Sequence, residues 1–361
     1  MNLLYISKLT GNLFAGPNNS VPAQIKAQSE IDAVFWYNLN KVKRDEWEAI
    51  GCHNLNDYPT ERLSDLPEPF CSPDLVVVEE LYCFPFCKIL RDIQKKRVPY
   101  IIIPRSEMTL QAQKKKACKK ILGNAIYFNQ VISKAAAIQY LSEQERAESE
   151  AHWEKRSFVI PNGTKIKEFS KKRHDPQSIK GVYIGRFEKQ QKGLDILVEA
   201  IEKQQALLRQ NNFHLEMYGV DQEGTLEYLN HFIANAGITD LISIKDAVYG
   251  EEKERALQEA DVFVMTSRFE GMPMGLIEAL AYKLPALVTE GTNMAKEIAE
   301  MNAGWTSDNT VSGVAGIFQR MLEEKAFLYT MGENAYSLAS KYSWESIAVR
   351  SHTVYEALIN E

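Results

Sequence analysis

Residues 262–289 read VFVMTSRFEGMPMGLIEALAYKLPALVT, and this stretch decides the fold. Val262–Thr266 is a short run rich in β-branched and apolar side chains, the pattern of a buried strand. Pro273 suits a helix start, and Met274–Tyr282 continues as an apolar helical run. Ala286–Thr289 is a second short apolar strand. Working outward, the same alternation recurs. In the second half Val182–Ile184, Phe213–Tyr218 and Ile242–Ile244 read as strands. Leu194–Arg209, Leu226–Ala236, Glu251–Ala260 and Ala295–Met301 read as helices. In the first half the strand candidates are Leu3–Ile6, Ala33–Tyr37, Leu75–Glu79, Tyr100–Ile103, Ala137–Leu141 and Phe158–Ile160. Phe84–Lys96, Thr109–Leu122 and Ser142–Trp153 are helical candidates between them. Alternating βα of this kind predicts parallel sheets covered on both faces.

The chain has 361 residues, which suits roughly two domains. The polar joint lies between Pro161-Asn162-Gly163 and Pro176. The expected division is 1–165, 166–340 and a final helix over 341–361, with Ser343 as its N-cap. Each of the first two is expected to be an α/β, doubly wound domain.

Composition narrows the function classes. Hydrophobic residues are 45% and charged residues 25%, as in ordinary globular chains. Runs such as Leu75–Val78 are far shorter than the ~20 apolar residues of a membrane span. The start, Met1 to Ile6, reads as a first buried strand rather than a signal peptide. Cys52, Cys71, Cys83, Cys87 and Cys118 include no C-x-x-C, a pattern expected of a reducing cytoplasm. Cys52, His53, Cys83 and Cys87 lack the spacing of a zinc module, so buried or idle thiols are expected. Net charge is −6. Residues 1–160 hold 21 basic and 19 acidic side chains, residues 161–361 hold 21 and 29. An acidic chain is a poor nucleic-acid binder. Two basic clusters stand against the trend: Lys114, Lys115, Lys116, Lys119 and Lys120, and the run from Lys165 to Lys192.

Ligands of open α/β sheets bind at loops beyond the carboxyl ends of strands. Three such loops are unusual. Lys8–Ser20 carries Gly11 and Gly16 ahead of a helix expected from about Val21, where backbone and helix N-terminus can approach an anion. Its spacing is not G-x-G-x-x-G, which argues against a nicotinamide or flavin enzyme. Gly185–Gly193 delivers Arg186 at a strand end and Lys192 before a glycine and a helix, two cations suited to a diphosphate. Ser267–Ala281 places Glu270 in a loop and Glu278 within an apolar helix, where a carboxylate needs a partner. That partner is either a pair of ligand hydroxyls or a structural cation.

Glu270 and Glu278 form a Glu-x7-Glu pattern, and here the sequence resembles retaining glycosyltransferases of the GT-B fold, two Rossmann-like domains facing across a cleft. More narrowly it resembles glycosyltransferase family 4. Arg186 with Lys192-Gly193 is similar to that family's diphosphate motif. Val159-Ile160-Pro161-Asn162-Gly163, Ser142-Glu143-Gln144-Glu145 and Tyr342-Ser343-Trp344 resemble further family segments in the right order. The resemblance implies catalytic roles for Arg186, Lys192 and Glu270. It implies donor contacts by Gly16, Gly219, Met274, Gly275, Leu276 and Glu278, with Glu278 on the ribose. Pro104-Arg105-Ser106 is similar to the family's arginine-bearing variant, and Arg105 is expected near the donor, although Ser106 replaces a glycine. Glu79 and Glu80 stand where relatives carry histidine, and either face an acceptor or close a structural pair.

What the resemblance implies is a hexosyltransferase that moves sugar from a nucleotide diphosphate sugar to a glycan or lipid-linked acceptor in polysaccharide assembly. UDP is the expected nucleotide and glucose the expected sugar. No Asp-x-Asp occurs in the chain, so neither a metal nor a further cofactor is expected. A nucleotide-sugar 2-epimerase and a non-catalytic nucleotide-sugar-binding relative are the alternatives. The lysines of Thr109–Leu122 leave two readings: a helix packed on the sheet with solvated lysines, which its narrow apolar strip favours, or a peripheral contact with an anionic membrane.

Overall fold

The protein is described from a computed structural model, over residues 1–12, 16–82, 87–114, 117–150, 153–166, 177–222 and 224–360. It divides into two compact units. Unit 1 comprises Met1–Gly163 and Trp344–Glu361, unit 2 Thr164–Ser343.

The sheet of unit 1 is built from β1 (Asn2–Ser7), β2 (Ala33–Asn38), β3 (Cys52–Asn54), β4 (Leu75–Glu79), β5 (Tyr100–Ile103), β6 (Ala137–Tyr140) and β7 (Ser157–Val159). All pairings are parallel, in the order β3-β2-β1-β4-β5-β6-β7. Successive side chains alternate between two cores. Leu4, Ile6, Val76, Val78 and Ile102 face one layer, Leu3, Tyr5, Val77, Ile101 and Ile103 the other. Tyr355 and Leu358 of the final helix, Trp344–Ile359, pack into the second layer. Tyr355 Oη donates to Gln139 Oε1 at 2.7 Å, giving the buried phenol a partner.

Unit 2 repeats the plan with β8 (Ile179–Ile184), β9 (Phe213–Gly219), β10 (Ile242–Asp246), β11 (Val262–Met265), β12 (Ala286–Thr289) and β13 (Gly304–Ser307). The parallel order is β10-β9-β8-β11-β12-β13. Both sheets therefore reverse direction beside their first strand, between β1 and β4 and between β8 and β11. That switch point is where doubly wound sheets open a crevice at the strands' carboxyl ends. Tyr183, Leu215, Met217 and Val264 fill one layer of unit 2, Val182, Phe263, Leu276 and Val288 the other.

Several elements differ from expectation. The first helix begins at Pro17, not near Val21, because proline is accommodated in a first turn. Leu194–Arg209 is two helices, Leu194–Lys203 and Gln205–Gln210, broken where Gln204 leaves helical geometry. The candidate Phe84–Lys96 is helical over Lys88–Lys96, and residues 84–86 lie outside the described residues. Ser142–Trp153 is helical over Glu143–Glu150, with 151–152 likewise outside. Thr109–Leu122 becomes Leu110–Lys114 and Ala117–Gly123, followed by a π-helical turn Asn124–Phe128. Lys115, Lys116 and Cys83 lie outside the described residues, as does most of the expected joint, residues 167–176. Strands β3 and β13 and the helices Val311–Glu323 and Leu328–Ser340 were not anticipated.

Candidate functional site

At the switch point of unit 2, a cavity of about 380 Å³ opens beyond the ends of β8, β9 and β11. Arg186, Lys192, Gly219, Glu270, Met274 and Gly275 contribute to its walls. These were scattered over some ninety positions of the chain, and parallel strand order collects them.

Two glycines make the close packing here feasible. Gly193 has φ +60°, and a Cβ there would lie 2.1 Å from the Thr266 carbonyl oxygen. A Cβ on Gly219 would lie 2.0 Å from the Gly185 carbonyl oxygen. Any other residue would force strand ends and loops apart.

Lys192 closes a one-turn helix, Lys189–Lys192, and is buried rather than displayed on a loop. Its Nζ lies 2.6 Å from Glu270 Oε1, with the side chains only 11% and 8% exposed. Ser267 Oγ donates to the same carboxylate oxygen at 2.5 Å. Arg186 is half-exposed and donates to Gln222 Oε1 at 3.2 Å and Gln191 Oε1 at 3.3 Å. Beneath it, Tyr183 Oη donates to the Arg186 carbonyl at 2.7 Å. Burial holds the Tyr183 phenol far above its usual range, and the Glu270 charge adds to the effect.

The helix Met274–Ala281 starts at this cavity, after Pro273. Its N-terminus carries the partial positive charge of the helix dipole. Leu276, whose amide was expected to contact donor, has its side chain fully buried in the core, and its amide donates to the Pro273 carbonyl at 2.9 Å. Its apolar side chain is taken up by sheet packing. Glu278 faces a neighbouring cavity of about 320 Å³ and pairs with Lys253, which lines both cavities. In this structure its partner is thus the cation.

Arg268 was not singled out from sequence, yet it stitches the site together. Its Nη1 and Nη2 donate to Asp195 Oδ1 and Oδ2, both at 2.8 Å. Nη1 also reaches the carbonyls of Lys189 and Gln190 at 3.2 and 3.0 Å. The Arg268 amide donates to the Gln191 carbonyl at 2.8 Å. The loop bearing Glu270 is thereby fastened to the turn bearing Lys192. Burial alone would raise the Asp195 carboxyl, but the Arg268 guanidinium outweighs it and holds the group below the usual range. Planar fork-to-carboxylate pairing is a geometry that arginine supplies and lysine does not. Arg268 lies inside the motif loop and Asp195 three residues past Lys192. That proximity was the available signal.

The remaining candidates belong to unit 1. Gly16 is exposed, has φ −47°, and a Cβ there would meet nothing within 4 Å. Arg105 is held by partners within unit 1. Its side chain is 4% exposed, and its Nε lies 2.7 Å from Glu79 Oε2. Nη1 donates to Ser20 Oγ at 3.0 Å and Asn162 Oδ1 at 3.1 Å, and Nη2 to Gln24 Oε1 at 2.8 Å. Glu79 therefore closes a structural pair, which settles its open alternative. Ser106 sits at φ +69°, where glycine is easier, and its amide donates to Glu145 Oε1 at 2.5 Å. The buried Glu145 also accepts from the Leu141 amide at 2.8 Å.

Among the described residues, no three or more His, Cys, Asp or Glu side chains form a metal-binding group. No described helix is long and apolar enough to cross a membrane.

Comparison with known proteins follows this geometry. Residues 164–338 match the family model described as glycosyl transferases group 1. An uncharacterized glycosyltransferase of Methanocaldococcus jannaschii is 26% identical over 178 residues, 48% of this chain and 44% of that protein. The amylovoran biosynthesis glycosyltransferase AmsK of Erwinia amylovora is 29% identical over 145 residues, 38% of this chain and 34% of the relative. The matched stretches thus span less than half of either relative. The solved structure of HepE from Anabaena in complex with UDP superposes with a TM-score of 0.71 at 13% identity, covering 99% of this chain and 100% of that one. Two parallel-sheet units with these neighbours give the two-domain, Rossmann-like GT-B fold, and residues 164–338 are similar to glycosyl transferases group 1.

Proposed function

We propose that the chain is a retaining glycosyltransferase that moves a hexose from a nucleotide diphosphate sugar to a hydroxyl of a glycan or lipid-linked acceptor in polysaccharide assembly. UDP is the proposed nucleotide and glucose the proposed sugar. No metal or further cofactor takes part. The observation that carries this reading is the buried Lys192–Glu270 pair in the wall of the switch-point cavity, beside Arg186 and a helix N-terminus. The family match over unit 2 supports it.

The chemical difficulty of the reaction is the leaving diphosphate, which gains negative charge as the anomeric bond breaks. Fixed cations and helix-end dipoles stabilise that charge without reorganising. Arg186 and Lys192 supply the cations. Lys192 is paired with Glu270. An entering diphosphate offers the ammonium a second anion and turns the Glu270 carboxylate toward the donor sugar's hydroxyls. Glu278, paired with Lys253 next along the wall, is the proposed acceptor of the ribose hydroxyls. The acceptor hydroxyl attacks on the face that the diphosphate leaves, and a phosphate oxygen takes its proton. The anomeric configuration is then retained.

The test incubates the full chain with UDP, GDP and ADP sugars and acceptor glycans, following nucleotide release and product configuration by NMR. Transfer with retained configuration is expected. An inverted product overturns retention, and an epimerised nucleotide sugar identifies an isomerase. No turnover, with thermal stabilisation by a nucleotide sugar, identifies a binding protein. Ligand at ~100 times its dissociation constant stabilises by about 2.7 kcal/mol.

A further inference from the structure

The loop that carries Glu270 follows β11 and is fastened on two flanks. Arg268 ties it to the turn after β8. The segments that follow β12 and β13 tie it from the other side. At the end of β12 the buried Thr289 donates through Oγ1 to the Ser267 carbonyl at 2.7 Å. Two residues past β13, Asn309 Nδ2 donates to the same carbonyl at 2.8 Å, while its Oδ1 accepts from the Gly291 amide at 3.1 Å. Asn293 Nδ2 donates to the Gly271 carbonyl at 3.0 Å, from a left-handed backbone at φ +61°. The carbonyls at both ends of Ser267–Gly271 are therefore held by side chains from outside the loop.

Ser267 converts that hold into the geometry of a carboxylate. Its carbonyl is fixed by Thr289 and Asn309, and its Oγ donates to Glu270 Oε1 at 2.5 Å. The same oxygen pairs with Lys192 Nζ at 2.6 Å. Oε1 thus has two partners, and among the described residues Oε2 has none. Asparagines that spend both ends of the amide on backbone groups often do no more than shape a loop. Asn309 differs because the residue it holds touches a carboxylate in the wall of the switch-point cavity. Asn293 and Asn309 do not themselves contribute to that wall.

We propose that Asn309 and Asn293 are positioning residues for Glu270. They fix Ser267 and Gly271, so that Oε1 stays with Ser267 and Lys192 and Oε2 is left for the donor sugar. This role deepens the transferase reading and rests on it. A reacting constellation tolerates little drift, and a misplacement of about 1 Å costs ~10²-fold in rate. Arg268 sets the distance from the loop to Lys192, and the two asparagines set the direction of the carboxylate itself. Neither asparagine stood out in the sequence, because β13, which delivers Asn309, was not anticipated.

Asn309→Asp, Asn309→Ala and Asn293→Gly in the full chain test it. Aspartate keeps the acceptor for Gly291 and loses the donor to Ser267 at nearly the same volume. Glycine adopts φ +61° without strain, so Asn293→Gly removes the bond to Gly271 and leaves the backbone conformation allowed. Each variant is assayed for transfer with the nucleotide sugar that the parent turns over, for thermal melting, and for amide hydrogen exchange over Ser267–Met272. In both Asn309 variants kcat should fall about 10- to 100-fold. Asn293→Gly should lose about fivefold, less because its bond is exposed, with the melting temperature unchanged. KM for the donor should move less than about threefold, since Arg186 is untouched. Exchange over Ser267–Met272 should quicken roughly tenfold and stay parental elsewhere. Parental kcat in folded Asn309→Asp or Asn293→Gly overturns the role of that residue, even where the melting temperature drops. Unchanged exchange in the segment overturns both. If Asn309→Ala fails to fold, the other two variants decide. A parent that transfers no sugar overturns the functional reading instead, and exchange then decides the clamp by itself.

Discussion

Among the described residues, each unit holds a buried ion pair at the carboxyl ends of its central strands, and these two pairs differ in what surrounds them. In unit 1 Arg105 and Glu79 are 4% and 0% exposed, and the guanidinium also donates to Ser20, Gln24 and Asn162. In unit 2 Lys192 and Glu270 are 11% and 8% exposed, and the pair forms part of a cavity wall. An arginine fork with four engaged donors has little left to offer a ligand. A lysine ammonium carries three donors, and here one of them meets Glu270. The contrast teaches that burial of a charge does not by itself mark a functional site. The pair whose guanidinium is engaged four times organises its unit, and the pair beside an opening is able to change partners.

The largest effect should come from breaking the Arg105–Glu79 pair. Arg105→Ala leaves Glu79 charged and buried, a change that typically costs about 3–5 kcal/mol. Chemical denaturation should show that loss. A variant as stable as the parent would mean that water reaches Glu79.

The open pair should respond in rate instead. Arg186→Ala removes a half-exposed cation, so turnover should fall ~10²–10³-fold with unfolding unchanged. Lys192→Ala should lose rate to the same degree, but it also strands the Glu270 carboxylate. Its melting temperature should therefore drop, contrary to what a loop position would suggest. Equal turnover in either variant would remove the diphosphate assignment.

Arg268→Ala sharpens the comparison further, because Arg268 holds the open pair without lining the cavity. Misplacing Lys192 relative to Glu270 should lower kcat by up to ~10²-fold, with KM changing less. Arg268→Lys should recover little, since the two parallel bonds to Asp195 need a planar fork. A variant whose kcat recovers fully with lysine would reduce Arg268 to a bulk charge.

Glu278→Gln should act more gently, weakening donor affinity while kcat at saturation changes little. Unchanged affinity would leave the Lys253 pair as the whole role of Glu278. The smallest expected change is with EDTA, which should leave turnover near its starting value. Loss on chelation, restored by magnesium or manganese, would overturn the metal-free mechanism.

Much of this molecule was legible in its residues. Leu75–Glu79, Tyr100–Ile103 and Val262–Met265 are central strands buried on both faces, so their sequences are apolar runs, broken only by Glu79 at a strand end, and their positions plain. Strand β3 is Cys52-His53-Asn54, short and paired only with β2, and edge strands of that kind leave a weak pattern. That Arg186, Lys192 and Glu270 would gather at strand ends could be read because charged residues beside glycines there have few structural uses.

What the sequence by itself determined is local: which runs are strands, where helices start, and which residue types gather in the loops beyond them. Only the tertiary structure decided which charges meet. Lys192 and Glu270 are 78 positions apart, and Glu79 and Arg105 are 26 apart, so neither pairing follows from spacing. The exposure of Ile121 and Leu122 was decided there too, because an amphipathic pattern names the apolar residues without saying whether a sheet lies beneath them. The physical reason is the same in each case. Backbone periodicity acts over a few residues, whereas pairing and burial depend on the order in which distant strands assemble.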